Sequence, residues 1–195
     1  MEVAIIKYNA GNTQSVIYAL ERLGISPLLT NDFEAIQKAD KVIFPGVGEA
    51  STTMKHLKEL KLDLLIPTLK QPVLGICLGM QLMCEYSEEG DTTCMGIFQA
   101  PVKRFSPVNG EKVPHMGWNN ITTARDSWTS SGITDQHMYF VHSFYVPVTA
   151  DTVATCNYIE DFSAALAKDN FYATQFHPEK SARQGQQIIK NFIEL

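Results

Sequence analysis

Residues 72–81 read Pro72-Val73-Leu74-Gly75-Ile76-Cys77-Leu78-Gly79-Met80-Gln81. Pro72–Cys77 is an apolar run of strand length, and a helical pattern, Leu78–Tyr86, follows with no loop between. A strand that turns into a helix through Gly-x-Cys-x-Gly is the thiol form of a nucleophile elbow. The backbone at such a nucleophile is strained, so the residues two positions to either side must be small. The sulfur then sits at a helix N-terminus, where unpaired N–H groups and the helix dipole favour thiolate. The N–H of Leu78 is placed to stabilise an oxyanion. The plainer reading of this stretch alone is a buried cysteine between two turn glycines. Cys84 and Cys156 have no such context and are assigned to packing.

On either side of this stretch, strands alternate with helices. Val3–Lys7 is a first strand, followed by a loop at Asn9–Asn12 and an amphipathic helix carrying Val16, Ile17, Leu20 and Leu23, stopped at Gly24. Ser26–Thr30 is a second strand, and Asn31 with Glu34 has the pattern of a capping box. Lys41–Phe44 is a third strand, broken by Pro45-Gly46, and Glu49–Leu60 reads as a helix. Strand–helix alternation at this interval implies βαβ units and a mostly parallel sheet. After Cys94 the pattern changes to strands: Ile97–Phe105, Asn120–Thr123, Met138–Val146, Val153–Tyr158, Ala164–Lys168 and Phe171–Phe176. Asp169-Asn170 turns the last two into a hairpin. A final helix begins near Ser181 with Ile188, Ile189, Phe192 and Ile193 as its apolar stripe.

The chain has 195 residues, 45% of them hydrophobic and 19% charged. That is the size of one domain, 1–195, with enough core to need no staple. The net charge of −5 argues against a general nucleic-acid binder, which needs a cationic surface. No apolar run has the length of a membrane span, and Met1–Tyr8 reads as a strand rather than a signal peptide. The four cysteines, Cys77, Cys84, Cys94 and Cys156, form no Cys-x-x-Cys pair, so neither a zinc site nor a dithiol motif is indicated. Reduced thiols fit a cytoplasmic chain.

Two further stretches carry chemistry. In Gln175-Phe176-His177-Pro178-Glu179, residues two apart in an extended chain face one side, and Pro178 holds His177 extended. A carboxylate beside a histidine fixes its tautomer and stabilises the imidazolium. By itself the stretch could equally be a solvated corner. Pro45-Gly46-Val47-Gly48 follows a parallel strand, where loops line a site. Its glycines let backbone N–H groups approach a ligand, though it could be a turn and no more. His137 and His142 lie five apart, face opposite sides of a strand, and make no metal pair.

Together and in this order, the elbow, the distant His-x-Glu and the upstream glycine loop resemble the class I, triad-type glutamine amidotransferases. Pro114-His115-Met116-Gly117-Trp118-Asn119, Tyr139-Phe140-Val141-His142-Ser143-Phe144 and His177-Pro178-Glu179-Lys180-Ser181 are similar to the glutaminase subunits of imidazole glycerol phosphate synthase. The resemblance spans nearly the whole chain. It departs at Lys7-Tyr8-Asn9-Ala10-Gly11-Asn12, where the family often has Asp-Tyr-Gly-x-Gly-Asn, and at Phe144, where an aromatic with a hydroxyl is common.

The resemblance implies an α/β, flavodoxin-like glutaminase domain. Its central sheet is mostly parallel and flanked by helices, with antiparallel strands in the C-terminal half. It also implies a Cys77–His177–Glu179 triad that hydrolyses glutamine through a glutamyl thioester on Cys77. The backbone of Val47 and Leu78 would form the oxyanion hole, and Gly48, Gln81, Ser143 and Phe144 would hold glutamine. Ammonia would pass to a (β/α)8-barrel cyclase subunit in a heterodimer. There it would join a phosphoribulosyl-formimino-aminoimidazole-carboxamide nucleotide in histidine biosynthesis. Asn12, Met116, Trp118, Asn119, Tyr139 and Lys180 match positions that face or gate this partner. No metal, cofactor, nucleic acid or membrane is implied.

Three other readings remain. A glutaminase of another synthase, such as pyridoxal phosphate synthase, would share the chemistry but not the partner; Met116–Asn119 speak against it. A free cysteine hydrolase or peptidase of the same fold is disfavoured by Gln81 and the His-Pro-Glu end. A non-catalytic interaction subunit would not need all three triad residues.

Overall fold

A computed structural model of the chain describes residues 1–8, 12–133 and 136–195. Asn9, Ala10 and Gly11, most of the opening loop expected at Asn9–Asn12, lie outside the described residues. In chain order the first half comprises β1 (Val3–Ile6), α1 (Thr13–Glu21), β2 (Leu28–Thr30), α2 (Phe33–Lys38), β3 (Lys41–Gly46), α3 (Ala50–Glu59), α4 (Leu62–Leu65), β4 (Val73–Cys77) and α5 (Leu78–Met83). The second half comprises β5 (Tyr86–Ser87), β6 (Thr92–Thr93), β7 (Pro101–Arg104), β8 (His115–Thr123), β9 (His137–His142), β10 (Phe144–Tyr145), β11 (Thr152–Tyr158), β12 (Glu160–Lys168), β13 (Phe171–Thr174) and α6 (Ala182–Ile193).

Among the described residues the strands form a nine-stranded sheet, β2-β1-β3-β4-β13-β12-β11-β8-β9, and a four-stranded one, β10-β7-β5-β6. From β2 to β13 neighbours are parallel, and from β13 to β9 they are antiparallel. The two halves of the sequence therefore meet at the β4–β13 pair. Asn170, in the β12–β13 turn, secures that seam: its side-chain amide donates to the carbonyls of Leu69 and Gln71, both at 2.9 Å. Strand alternation splits the core between the faces of the sheet. Ala4, Ile6, Val42 and Phe44 pack on one side with Met54, Leu57 and Leu82. Val3, Ile5, Ile43 and Leu74 pack on the other with Leu20, Ile188, Ile189 and Phe192. The expected stripe of the last helix is thus buried.

Several boundaries differ from expectation, each for a local reason. The cap of α2 is Asp32, not Asn31: its carboxylate accepts the Ala35 N–H at 2.8 Å. Glu34 pairs instead with Lys38 one turn on. The helix after the elbow stops at Met83 rather than Tyr86, because Cys84 turns extended and Tyr86 joins a strand. Ile97 and Phe98 are not in strand; their N–H groups both donate to the Met83 carbonyl. The strand expected at Asn120–Thr123 begins at His115. Its first half exposes Met116 and Trp118, which masks the usual alternation of apolar-in and polar-out. The run Met138–Val146 is two strands, since Ser143 carries the chain from the large sheet to the small one.

Candidate active site

Strand register assembles the site. Gly46 of β3 pairs with Cys77 of β4, and Thr174 of β13 pairs with Ile76. The carboxyl ends of three adjacent parallel strands therefore deliver Val47–Gly48, Cys77 and Gln175–Glu179 to one place, as expected for ligand sites in α/β sheets. A cleft of about 300 Å³ opens there, lined by Val47, Gly48, Cys77, Gln81, Phe144 and His177, among others.

The elbow has the predicted strain. Cys77 stands at φ 54°, ψ −107°, a conformation that costs on the order of 1–3 kcal/mol for a residue with a side chain. Its glycines are required by contact. A Cβ on Gly79 would lie 2.0 Å from the Phe44 carbonyl oxygen, and one on Gly75 would lie 2.8 Å from the Met83 sulfur. Helix α5 thus crosses β3 closely enough to hold Cys77 at the helix start. Leu78 is the first residue of α5, and leading N–H groups of a helix have no partner within it.

His177 is 1% exposed. Its Nδ1 lies 2.8 Å from Glu179 Oε1, and the Glu179 side chain is itself 2% exposed. Nε2 is buried without a hydrogen-bond partner. Burial alone would push the imidazole pKa down; the Cys77 sulfur beside it and then Glu179 outweigh burial and raise it to about 10. The arrangement favours imidazolium at His177. Two carboxylate oxygens are available to Nδ1–H, but only one is used, since Glu179 Oε2 is also unpartnered.

Gln81 bridges the two ends of the cleft. Its Nε2 donates to the Phe144 carbonyl at 2.9 Å and to Gln175 Oε1 at 3.0 Å. That leaves its oxygen to offer a ligand. Ser143 and Phe144 line the cleft as half-buried residues.

The site also holds residues missed in the sequence, Gln175 and Glu89 among them. Gln175, fully buried, donates through Nε2 to Cys77 Sγ at 3.7 Å; it belongs to the Gln-Phe-His-Pro-Glu stretch but had no role there. Glu89 lines the cleft and accepts the Ala50 N–H at 2.8 Å. Burial, with the charge of Glu49, raises its pKa against the pull of that hydrogen bond. No signal in the sequence marks Glu89, because the β5–β6 turn brings it to the cleft from outside every motif.

Of the residues expected to face a partner, Met116 and Trp118 project from β8 at 64% and 54% exposure. Trp118 meets Tyr139 edge-on at 6.1 Å, and the exposed Lys180 holds Nζ 6.0 Å from the Tyr139 ring centre. These four form one apolar and cationic surface. Asn119 does not join it. Strand alternation turns it to the opposite face, where its amide nitrogen contacts His115 and the Asn157 carbonyl. Asn12 lies apart, in left-handed backbone at the start of α1, with its Oδ1 accepting from Ser15. The expectation that His137 and His142 face opposite sides holds: His137 is exposed and His142 buried. Among the described residues no His, Cys, Asp and Glu cluster could hold a metal ion, and no helix is long and apolar enough to cross a membrane.

Removing the Glu179 charge tests its coupling to His177. Glu179→Gln is expected to lower kcat of the hydrolysis that the resemblance implies about 10- to 10²-fold, the worth of one charge-assisted hydrogen bond. Because Glu179 raises the His177 pKa, its loss moves the alkaline limb of the kcat–pH profile to lower pH. A change confined to KM, with that limb in place, contradicts the coupling.

Known proteins share both this sequence and this fold. Residues 4–195 match the family model described as glutamine amidotransferase class-I. The imidazole glycerol phosphate synthase subunit HisH of Bacteroides fragilis (strain YCH46) is 62% identical over 196 residues, covering 100% of both chains. The protein of that name from Yersinia pseudotuberculosis is 45% identical over 197 residues, again covering 100% of both. A crystal structure of a glutamine amidotransferase superposes with TM-score 0.76 at 18% identity, covering 98% of this chain and 97% of that one. The structure of PurLQS from Thermotoga maritima superposes with TM-score 0.73 at 15% identity, covering 99% and 97%. At such identities the structures speak for the fold alone, while the family model and the relatives span this chain almost end to end. The chain belongs to the class-I glutamine amidotransferase family.

Proposed function

We propose that residues 1–195 form one glutaminase domain, the glutamine-hydrolysing subunit of an imidazole glycerol phosphate synthase of the cytoplasm. The observation that carries the chemistry is the buried Glu179–His177 pair, whose unpartnered Nε2 shares a cleft with Cys77 on its strained elbow. Cys77 Sγ attacks the side-chain carbonyl of glutamine, and the C–N bond breaks as His177 gives its proton to the departing ammonia. Water then adds to the thioester, its proton returns through His177, and glutamate leaves as the S–C bond breaks. The N–H groups of Leu78 and Val47 stabilise each oxyanion. Gln81, Gly48, Ser143 and Phe144 hold the amino acid. Glu89, the acidic residue among those lining the cleft, suits its α-ammonium group.

Ammonia passes to a (β/α)8-barrel cyclase subunit that docks on Met116, Trp118, Tyr139 and Lys180, in a heterodimer serving histidine biosynthesis. The full-length identity to relatives named as subunits of that synthase supports this partner over another. The test is to mix the chain separately with the cyclase barrel and with the barrel of pyridoxal phosphate synthase. A one-to-one complex and glutamine-driven cyclisation with the first, and neither with the second, is the expected result. Binding to the second alone reassigns the partner.

A further inference from the structure

His142 lines the cleft with His115 against it, and the proposed reaction uses neither. They are cross-strand neighbours on β8 and β9, 3% and 6% exposed. Aromatic rings enclose them. His115 stacks on Tyr158 at 4.1 Å and on Phe140 at 4.9 Å. Phe162 meets His142 edge-on at 5.1 Å, and Phe105 lies 5.4 Å from it. Burial in such surroundings disfavours charge, and both pKa values fall, His115 to about 4 and His142 to about 3.

A neutral imidazole has one donor nitrogen and one acceptor, so the contacts at the two ends fix where the protons lie. At the inner end, His142 Nδ1 lies 2.7 Å from the Phe144 carbonyl. A carbonyl only accepts, so Nδ1 carries the proton and Nε2 is bare. At the outer end, Asn119 Oδ1 accepts the Asn120 N–H at 2.8 Å, and its Nδ2 lies 3.1 Å from the Asn157 carbonyl. The amide orientation is therefore set, and Nδ2 donates to His115 Nε2 at 3.1 Å. His115 Nδ1 must then carry the proton, and it lies 3.0 Å from the bare His142 Nε2. The two ends dictate the same polarity independently, and no link is frustrated.

The relay ends where glutamine is to be held. The Phe144 carbonyl takes His142 Nδ1–H and Gln81 Nε2–H together, which fills both lone pairs. The preceding carbonyl, Ser143, accepts from Phe105 N at 3.0 Å. The Ser143–Phe144 turn, where the chain leaves one sheet for the other, is thus held at two successive carbonyls.

We propose that His115 and His142 are positioning residues: a one-way hydrogen-bond relay from Asn119 that fixes the Phe144 carbonyl and with it the glutamine-holding turn. The inference rests on the glutaminase reading for its kinetic consequence, but not for its structural one. On the full-length chain labelled with ¹⁵N-histidine, the ring-nitrogen shifts at neutral pH are expected to show both rings neutral with the proton on Nδ1. A proton on Nε2 of either ring, or a charged ring, overturns the relay.

In the complex with the cyclase barrel, His142→Phe keeps a ring among aromatic neighbours but removes the donor. The glutamine KM is expected to rise about tenfold, the scale of one hydrogen bond, with kcat nearly unchanged. His142→Asn, whose amide can stand in for Nδ1–H, is expected to recover most of that loss. His115→Phe removes the donor to His142 Nε2 but leaves the Phe144 carbonyl on Nδ1, so His142 is expected to keep its proton on Nδ1 while its Nε2 shift moves with the lost hydrogen bond. An unchanged KM in His142→Phe overturns the proposal, as does failure of the asparagine variant to recover when it folds as wild type. If the wild-type complex hydrolyses no glutamine, the glutaminase reading fails, and the ring shifts still judge the relay.

Discussion

Cys77→Ser is expected to lose glutamine-dependent turnover by about 10³-fold or more, the scale on which triad nucleophiles act. A hydroxyl at the elbow is a far weaker nucleophile, and the pull of the sulfur that helps keep His177 protonated goes with it. The fold should survive, because the strain at φ 54° and the glycine contacts of Gly75 and Gly79 do not involve the sulfur. Cyclisation from added ammonia by the partner should therefore be retained. The other thiols serve as controls. Cys84 is fully buried with Sγ directed to the Met80 carbonyl, and burial pushes its pKa up. Burial likewise raises Cys94 to about 11 and Cys156 to about 12. Cys84→Ser and Cys156→Ser should lower thermal stability while leaving kcat in place, and alkylation of the wild type at neutral pH should mark Cys77 first. Glutamine turnover that persists in Cys77→Ser removes this residue from the mechanism.

The parts of the site that could be read from the sequence are those encoded within a few residues. The elbow is written in Gly75, Cys77 and Gly79, and the orienting carboxylate follows its histidine by two positions. The βαβ alternation of the first half was legible because buried parallel strands are continuous apolar runs. What could not be read depends on register between distant strands. Gln175 reaches Cys77 only because Thr174 pairs with Ile76, and His115 meets His142 only through the β8–β9 pairing. Glu89 arrives on a short turn, with the Ala50 N–H as its anchor. The split at Ser143 is likewise invisible locally, since Phe144 and Tyr145 are as strand-like as the residues before them. Their partner, β7, is what draws them into another sheet.

The chain alone is expected to hydrolyse glutamine about 10²- to 10³-fold more slowly than the proposed complex with the cyclase barrel and nucleotide, the cost of one missing oxyanion donor. Glycines on both sides of Val47 suggest a peptide that can present either its N–H or a carbonyl to the oxyanion, but the structure restricts that freedom to one side. Pro45 is pinned by Tyr8, whose hydroxyl donates to its carbonyl at 2.5 Å. Gly46 is glycine for close packing, since a Cβ there would lie 2.7 Å from the Gly79 nitrogen. Gly48 is different: it stands at φ +117° with nothing within 4 Å of a would-be Cβ. Rotation of the Val47–Gly48 segment is thus hinged at Gly48 and braced at Gly46. A partner that favours one orientation by ~3–4 kcal/mol suffices for the rate change. Gly48→Ala removes the left-handed option without a clash, so it should compress the ratio of activated to basal rate. The measurement is the steady-state rate of glutamate release from the chain alone, with the cyclase barrel, and with barrel plus nucleotide, for wild type and Gly48→Ala. Equal wild-type rates in all three conditions leave no switch and point to an independent hydrolase. A wild-type ratio that survives intact in Gly48→Ala moves the hinge elsewhere, because an alanine at φ +117° is strained whatever the space around it.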